Sequence, residues 1–228
     1  MKLVLIGGGN IPKWNFETKD ENQDLYETKN IDEEIVKLSE KKNPKCLFIG
    51  TAKKDNKIYY SAIKNIYENL GCKVELLDTI SENVNYQYLE EKILNTDIIY
   101  VGGGNTRFLL ERWKQIGLDK LIKDIVKKDI VIAGFSAGAY AMCKYSYDLI
   151  QGLNILNFML CVHYNEKSNE KKNMFEENIL KHNINGIALD NSVALVVCEN
   201  DFKIIKDYNE RNAYKLSYEN GKIKKTMM

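Results

Sequence analysis

The 228-residue chain has little of what several classes of protein depend on. Only three of its 33 basic residues are arginine, and 32 acidic residues balance them, so the sequence lacks the basic surface that nucleic-acid binding needs. It also lacks an apolar run of about 18 residues, the length that crosses a bilayer. The apolar start is short and reaches three glycines without a cleavage pattern, which is not typical of a secretion signal. We therefore expect a cytoplasmic protein with no nucleic-acid or membrane partner.

Metal-binding and disulfide patterns are scarce as well. The chain has two histidines, and its five cysteines are scattered without a CxxC pair. Most of these cysteines lie in apolar runs, which is typical of buried, reduced thiols in a cytosolic protein. We expect neither a metal site nor a cofactor. With two prolines, no linker and no internal repeat, the sequence predicts a single domain over residues 1–228.

Apolar runs alternate with helical patterns along most of the chain. Continuous apolar runs favour strands that are covered on both faces, as in a parallel sheet. The stretches between them have the period of amphipathic helices. The alternation predicts an α/β fold, a three-layer sandwich with a mostly parallel central sheet. Four runs rich in valine and isoleucine reach a glycine, within residues 2–9, 45–52, 97–104 and 129–136.

The last part of the chain predicts helices followed by antiparallel strands. One helix is expected to continue over residues 139–145, and another covers residues 172–182. The terminal strands are expected to form one antiparallel meander, whose last hairpin turns at an Asn-Gly pair, residues 220–221. These strands are expected within residues 187–200, 201–207 and 212–225.

Residues 134–138, Gly-Phe-Ser-Ala-Gly, match the pattern G-x-S-x-G, in which a serine nucleophile lies on a sharp turn between a strand and a helix. The motif follows a valine and isoleucine run and opens an alanine-rich helix, which is the setting that this mechanism requires. A helix N-terminus behind the serine also offers amide groups to an oxyanion. Ser136 is therefore the candidate nucleophile, and the alternative is a small residue that a tight turn requires.

A serine hydroxyl becomes a good nucleophile when a base accepts its proton, and histidine is the usual base. His163 ends an apolar run, where a strand would deliver it to the edge of a sheet. His182 ends an amphipathic helix, where a cation is an ordinary surface feature. We therefore expect His163 to be the base.

The third candidate is a carboxylate that orients the histidine and stabilises its charged form. Asp190 lies at a junction between two apolar runs, and Glu166 is the nearest rival because it follows His163 closely. The resulting order of serine, histidine and acid differs from that of an α/β-hydrolase, in which the acid precedes the histidine. Asp148, the one aspartate between Ser136 and His163, is too near the serine for that fold. The order therefore argues against an α/β-hydrolase.

A second glycine-rich stretch, Gly102-Gly103-Gly104-Asn105, follows a strand and precedes a helix, so its amides can bind an anion. Nucleotide binding is disfavoured because neither G-K-[ST] nor G-x-G-x-x-G is present. Acyl transfer needs two donors aimed at one oxygen, and the Ala137 N–H with that of Gly103 or Gly104 would supply them. Asn105 is a further candidate for substrate binding, and a turn without chemistry is the alternative.

Four motifs occur in a recognisable order and spacing: VGGGNT at 101–106, GFSAGA at 134–139, HY at 163–164 and LDNS at 189–192. Over most of the chain they resemble those of peptidase family S51, which contains peptidase E, an α-aspartyl dipeptidase, and the cyanophycinases. The resemblance implies a class I glutamine amidotransferase-like fold in which serine replaces the cysteine of that superfamily. It also implies a serine peptidase triad onto which Ser136, His163 and an acid at Asp190 map.

Two departures from the family pattern concern the acid and the pocket. Peptidase E has glutamate at the acid position, where this sequence has Asp190; either carboxylate can orient a histidine, with a different reach. Peptidase E also commonly has tryptophan and asparagine at the positions of Phe135 and Tyr140. The pocket is therefore expected to differ from that of peptidase E.

The resemblance implies a serine exopeptidase of the dipeptidase type that acts on short peptides. A preference for an N-terminal aspartate is a secondary expectation, since the sequence does not identify the cation that an acidic side chain would need. The alternatives are a hydrolase of another ester or amide, and a non-catalytic module that binds peptides or small molecules on the same fold. We expect a monomer or a homodimer.

Overall fold

The structure is a computed structural model that describes residues 1–11, 26–199, 201–219 and 222–228. Within these ranges the chain forms two β-sheets and seven α-helices, and no helix is both long and apolar enough to cross a membrane. The strands are β1 (Lys2–Ile6), β2 (Lys45–Ile49), β3 (Lys73–Leu76), β4 (Ile98–Val101), β5 (Val131–Phe135), β6 (Cys143–Ser146), β7 (Leu156–Cys161), β8 (Gly186–Leu189), β9 (Val193–Cys198), β10 (Asp201–Lys206), β11 (Ala213–Glu219) and β12 (Lys222–Met227). The helices are α1 (Lys29–Leu38), α2 (Lys57–Asn69), α3 (Tyr86–Leu94), α4 (Thr106–Ile116), α5 (Leu118–Ile125), α6 (Ala137–Met142) and α7 (Asn169–His182).

The larger sheet has seven strands in the order β10-β9-β1-β5-β4-β2-β3. The five strands from β1 to β3 in this order are parallel, and β9 and β10 extend the sheet in antiparallel fashion. In β1, Leu3 and Leu5 pack on one face of the sheet and Val4 and Ile6 on the other, and all four are fully buried. Burial on both faces explains why such strands are apolar throughout. The four strands predicted from the glycine-terminated runs all lie in this parallel part.

Helices and the smaller sheet cover the two faces of the larger sheet. On one face, α1 and α2 bury residues such as Ile35 and Ile63. On the other face, α3 to α6 and the smaller sheet share a core that contains Trp113 and Leu160. The smaller sheet has the order β12-β11-β8-β7-β6, and Phe175 of α7 packs on its second face. The expected α/β three-layer fold with a mostly parallel central sheet is confirmed.

Two details of the later chain differ from the expectation. Helix α6 ends at Met142 instead of continuing to residue 145, because the amides of Leu153 and Ile155 donate to its last carbonyls and the chain enters β6. The terminal strands do not form one meander, since β9 and β10 join the larger sheet whereas β8, β11 and β12 belong to the smaller one. The Asn-Gly turn expected at residues 220–221 lies outside the described residues.

The end of β1 meets the smaller sheet at Gly7. The Gly7 carbonyl accepts the His163 N–H at 2.8 Å, and the Gly7 N–H donates to the Val193 carbonyl at 2.8 Å. A Cβ atom at this position would overlap the backbone carbonyl oxygen of Asp190 and would lie 2.8 Å from Leu189 Cβ. Glycine is therefore required where the two sheets meet.

We expect Gly7→Ala to destabilise the protein, because the added methyl group overlaps a backbone atom and no change of side-chain rotamer can relieve the overlap. Overpacking of this kind costs about 1–3 kcal/mol. Urea unfolding followed by circular dichroism would measure the cost as a lower midpoint. A midpoint equal to that of the parent protein would contradict this packing.

Candidate active site

A cavity of about 540 Å³ lies at the carboxyl ends of β1, β4 and β5. This edge of a parallel sheet is where open α/β folds place their ligand sites. The glycine-rich loops after β1 and β4 line the cavity, and so does Ser136, which follows β5. His163 reaches it from the smaller sheet. The fold therefore brings the expected nucleophile and base into one cavity, although 27 positions separate them in sequence.

Ser136 lies on a strained turn between β5 and α6. Its backbone has a φ of 51° and a ψ of −102°, which residues with a side chain rarely adopt. The Ser136 N–H donates to the Ile6 carbonyl at 3.0 Å, and its carbonyl accepts the Tyr140 N–H at 3.0 Å. A Cβ atom on Gly134 would overlap the backbone of Gly138, so both glycines of the motif allow the strand and the helix to approach each other. This geometry is that of a nucleophile elbow.

His163 follows β7 and is held by the bond from its amide to Gly7. Its backbone has a φ of 54°. Its Nε2 atom lies 2.8 Å from Ser136 Oγ, within hydrogen-bond distance. Gly8, with a φ of +133°, lies beside the imidazole, and a Cβ atom there would overlap the ring. The glycine loop after β1 therefore makes room for the histidine.

The other ring nitrogen of His163 faces two side chains. Its Nδ1 atom lies 2.6 Å from Asn191 Oδ1 and 3.3 Å from Glu166 Oε1. Asn191 Nδ2 donates to Glu166 Oε1 at 3.4 Å, and this orients the amide, because a carboxylate only accepts. Since both neighbours of Nδ1 are acceptors, Nδ1 carries the proton and Nε2 is left to accept the serine hydroxyl. Asn191 was part of the LDNS motif, but nothing in the sequence assigned it a role.

Asp190, the expected acid, makes no described contact with His163. Its carboxylate accepts the Asn212 N–H at 2.9 Å, and its own N–H donates to the Asn212 carbonyl at 3.0 Å. Asp190 is buried, with 5% of its surface exposed. Its two hydrogen bonds to Asn212 connect the end of β8 to the segment before β11. The residue that faces His163 is Asn191, the next residue, in the turn between β8 and β9. The carboxylate close to His163 is that of Glu166 instead.

Burial dominates the electrostatics of the histidine. It lowers the pKa of His163 below its ordinary value, whereas the hydrogen bond to Asn191 and the negative charge of Glu166 raise it. The imidazole is therefore neutral at neutral pH and is able to accept a proton. Burial also raises the pKa of Asp190, because desolvation penalises the charged carboxylate.

The amides close to Ser136 differ in whether they already have an acceptor. The Gly103 N–H donates to the Tyr59 hydroxyl at 3.1 Å. The Gly104 N–H has no acceptor among the described residues. Ala137 is the first residue of α6, where an amide has no acceptor within the helix. Of the amides considered from sequence, those of Gly104 and Ala137 are therefore the free donors.

Two other sequence candidates lie away from the cavity. Asn105 Oδ1 accepts the Phe108 N–H at 2.9 Å and so caps the start of α4, while the Asn105 N–H donates to the Ala52 carbonyl at 2.9 Å. Asn105 thus holds the loop in place and does not line the cavity. His182 is exposed at the end of α7 and does not line it either.

Lys53 and Tyr59 line the cavity although sequence reasoning did not single them out. Lys53 Nζ lies 4.7 Å from the centre of the Tyr59 ring. Within the described part of the chain, Lys53 forms no ion pair. In the sequence it is one of two adjacent lysines after β2, and only the fold shows which of them reaches the cavity. The wall also contains apolar side chains, including Ile11, Ile58 and Phe135.

Comparisons with known proteins identify the class of enzyme. The model of peptidase family S51 matches residues 18–205. The uncharacterized peptidase YgaJ of Bacillus subtilis is 26% identical over 229 residues, which cover 94% of this chain and 91% of that protein. Peptidase E of Escherichia coli is 45% identical over 85 residues, 37% of this chain and 34% of that protein. The crystal structure of a peptidase from an acI-B1 Actinobacterium superposes with a TM-score of 0.74 at 16% identity, over 100% of this chain and 96% of the other.

The family match covers most of the chain, and the protein therefore belongs to peptidase family S51. It is a serine-type peptidase, a hydrolase. The family resemblance expected from the GGGNT and GFSAGA motifs is confirmed. The likeness to the actinobacterial peptidase shows the shared fold, since the two sequences are 16% identical.

We expect the pKa of His163 to depend on the charge of Glu166 and not on that of Asp190. Glu166→Gln removes a negative charge that raises this pKa, so the pKa should fall further below its ordinary value. Asp190→Asn should leave it nearly unchanged, since the Asp190 carboxylate bonds the Asn212 amide. An NMR titration of the imidazole protons measures both variants, with His182 as the reference in the same spectrum. Equal shifts in the two variants would contradict this assignment.

Proposed function

We propose that this serine-type peptidase is an exopeptidase that hydrolyses short peptides, with Ser136 as nucleophile and His163 as base. The observation that carries the proposal is the 2.8 Å distance between Ser136 Oγ and His163 Nε2 in a cavity at the edge of the sheet. A nucleophile within hydrogen-bond distance of a base, with the base oriented by a third group, is what acyl transfer requires.

In the proposed reaction, Ser136 Oγ attacks the carbonyl carbon of the scissile bond while its proton moves to His163 Nε2. The carbonyl oxygen becomes an oxyanion, to which the amides of Gly104 and Ala137 donate. His163 then gives its proton to the leaving amine, and the acyl group remains on Ser136. A water molecule that His163 deprotonates attacks this ester, releases the carboxylic acid and restores the serine.

We propose that Asn191 and Glu166 share the role that a single acid has in other serine triads. Asn191 Oδ1 accepts the Nδ1–H and fixes the tautomer, as asparagine does in Cys-His-Asn peptidases. Glu166 adds a negative charge 3.3 Å from Nδ1, which favours the imidazolium that forms during the reaction. Because the Glu166 side chain is 53% exposed, solvent weakens this effect. Asp190 has a structural role in this mechanism.

The size and charge of the cavity favour short substrates that carry a negative charge. Its volume of about 540 Å³ lies within the range of sites for small ligands, about 300–1,000 Å³. Lys53 is the cation in the described part of its wall, and it has no carboxylate partner there. A substrate carboxylate can therefore pair with Lys53. We propose a dipeptidase with preference for an N-terminal aspartate, as the resemblance to peptidase E implies.

We propose further that residues 1–228 act as one catalytic domain. Ser136 follows a strand of the larger sheet and His163 follows a strand of the smaller one, so neither sheet alone holds the pair. We expect this domain to act as a monomer or a homodimer. All five cysteines are free thiols, which supports a reducing compartment such as the cytoplasm.

Ser136→Ala should abolish peptide hydrolysis while the protein remains folded, because only the attacking oxygen is lost. Loss of a triad nucleophile lowers kcat by about 10⁴-fold or more. Turnover of dipeptide amides that differ in the first residue, with circular dichroism as the check on folding, would measure the effect. Ser61→Ala on α2, where Ser61 Oγ bonds the Lys57 carbonyl, should keep parental activity. Undiminished turnover in Ser136→Ala would overturn the mechanism.

Lys53→Gln should weaken the preference for an acidic first residue, because it removes the positive charge but keeps a side chain of similar length. For an exposed ion pair we expect kcat/KM for Asp-initiated substrates to fall by about 2–5-fold relative to Asn-initiated ones. Lys54→Gln is the matched control, since Lys54 Nζ lies 5.5 Å from the Phe108 ring and Lys54 does not line the cavity. Equal losses for both substrates, or the same effect in Lys54→Gln, would contradict a role of Lys53 in selectivity.

A further inference from the structure

The Gly103 amide and the Tyr59 hydroxyl form a hydrogen bond at the wall of the active-site cavity. Both residues line the cavity, and the nitrogen and oxygen atoms are 3.1 Å apart. A Cβ atom on Gly103 would lie 3.3 Å from Ser136 Cβ, so the loop that carries this amide packs against the nucleophile. The reaction proposed above uses neither group.

The direction of this bond leaves the phenol proton free. A backbone N–H can only donate, so the Tyr59 oxygen is the acceptor. The phenol has one proton of its own, and Tyr59 Oη has no second hydrogen-bond partner within the described ranges of the chain. A hydroxyl that accepts a hydrogen bond is also polarised into a stronger donor. Tyr59 thus has an unused donor at the cavity.

Several contacts hold the Tyr59 ring before any substrate binds. The ring meets Phe48 edge-on, with 5.2 Å between the ring centres and 85° between the ring planes. A Cβ atom on Gly102 would lie 2.7 Å from Tyr59 Cε1, so the ring fits closely against this glycine. The Tyr59 N–H donates to Asn56 Oδ1 at 3.0 Å in the first turn of α2. A donor that is already in place needs no reorganisation when charge develops in the reaction.

The phenol also keeps its proton. Burial is the main cause that raises the pKa of Tyr59 above its ordinary value, although the bond from the Gly103 amide lowers it. The pKa of His163 is lowered, so the imidazole is neutral and the phenol is protonated over the same wide range of pH. The Tyr59 phenol that donates and the His163 imidazole that accepts a proton therefore have the required protonation states at the same pH.

We propose that Tyr59 is a further catalytic residue, and that its hydroxyl donates a hydrogen bond to the substrate carbonyl oxygen as this becomes an oxyanion. The inference rests on the function proposed above. The Gly103 N–H, the Tyr59 O–H and the oxyanion form a chain of two hydrogen bonds along which no proton is transferred. The free amides of Gly104 and Ala137 donate to the same oxygen. Because the charge exists in the transition state and not in the bound substrate, Tyr59 contributes to kcat and not to KM.

Tyr59→Phe tests this inference, because it removes the hydroxyl and keeps the ring. We expect kcat to fall by about 10²-fold, as for loss of one oxyanion-hole donor. KM for the same dipeptide substrate should remain within about 2-fold, as for an interaction made only in the transition state. Affinity for a peptide boronic acid, which forms a tetrahedral adduct with an active serine, should fall along with kcat. A purely structural role for the hydroxyl would lower the unfolding midpoint without this selective loss.

Tyr60→Phe is the matched control. Tyr60 is the next residue of α2, its ring stacks on the same Phe48 with 6.1 Å between centres, and its hydroxyl donates to the Val74 carbonyl at 3.4 Å. It does not line the cavity, so this variant should keep parental kcat. Parental kcat in Tyr59→Phe, or a raised KM alone, would overturn the inference and leave the proposed function standing. A parent protein that hydrolyses no peptide would overturn the proposed function, and the inference with it.

Discussion

Two consecutive carbonyl groups at the end of β1 position Ser136 and His163, the proposed catalytic pair. The Ile6 carbonyl accepts the Ser136 N–H at 3.0 Å, and the Gly7 carbonyl accepts the His163 N–H at 2.8 Å. The first bond holds the turn at Ser136, which follows β5 of the larger sheet. The second holds His163, which follows β7 of the smaller sheet, beside the end of β1. The second depends on glycine, because a side chain at residue 7 would overlap the Asp190 carbonyl. The 2.8 Å distance between Ser136 Oγ and His163 Nε2 depends on this backbone arrangement.

The polar groups around the pair suit a negative charge that develops on one oxygen atom. Gly104, His163 and Lys53 line the same cavity as Ser136, and Ala137 follows it in sequence. The amides of Gly104 and Ala137 have no acceptor among the described residues, and His163 is neutral. Ser136 and His163 have φ values of 51° and 54°, a strain of about 1–3 kcal/mol each that the surrounding packing must hold. Strain of this kind is characteristic of sites that are arranged before the substrate binds.

The parts of the fold and site that depend on local pattern could be predicted from sequence. The buried parallel strands are continuous apolar runs, and the elbow around Ser136 lies within five residues, so both were evident, as was His163 at the end of its strand. The sequence left Asp190 and Glu166 as candidates and did not indicate Asn191. The bonds between Asp190 and Asn212, which hold the Asp190 carboxylate at the segment before β11, form only in the folded chain. The terminal strands were assigned to one meander for a similar reason. The local sequence of a strand does not identify the sheet that it joins, and only tertiary packing separates the two sheets.

The proposed function depends on activation of Ser136 by His163, and covalent labelling with a fluorophosphonate tests this activation without a known substrate. The measurement is the rate of labelling in the parent protein and in His163→Ala, with the modified residue located by mass spectrometry of peptides. We expect one adduct, on Ser136, and its loss in the folded His163→Ala variant. An adduct on a different serine, or equally fast labelling of Ser136 without the histidine, would contradict it.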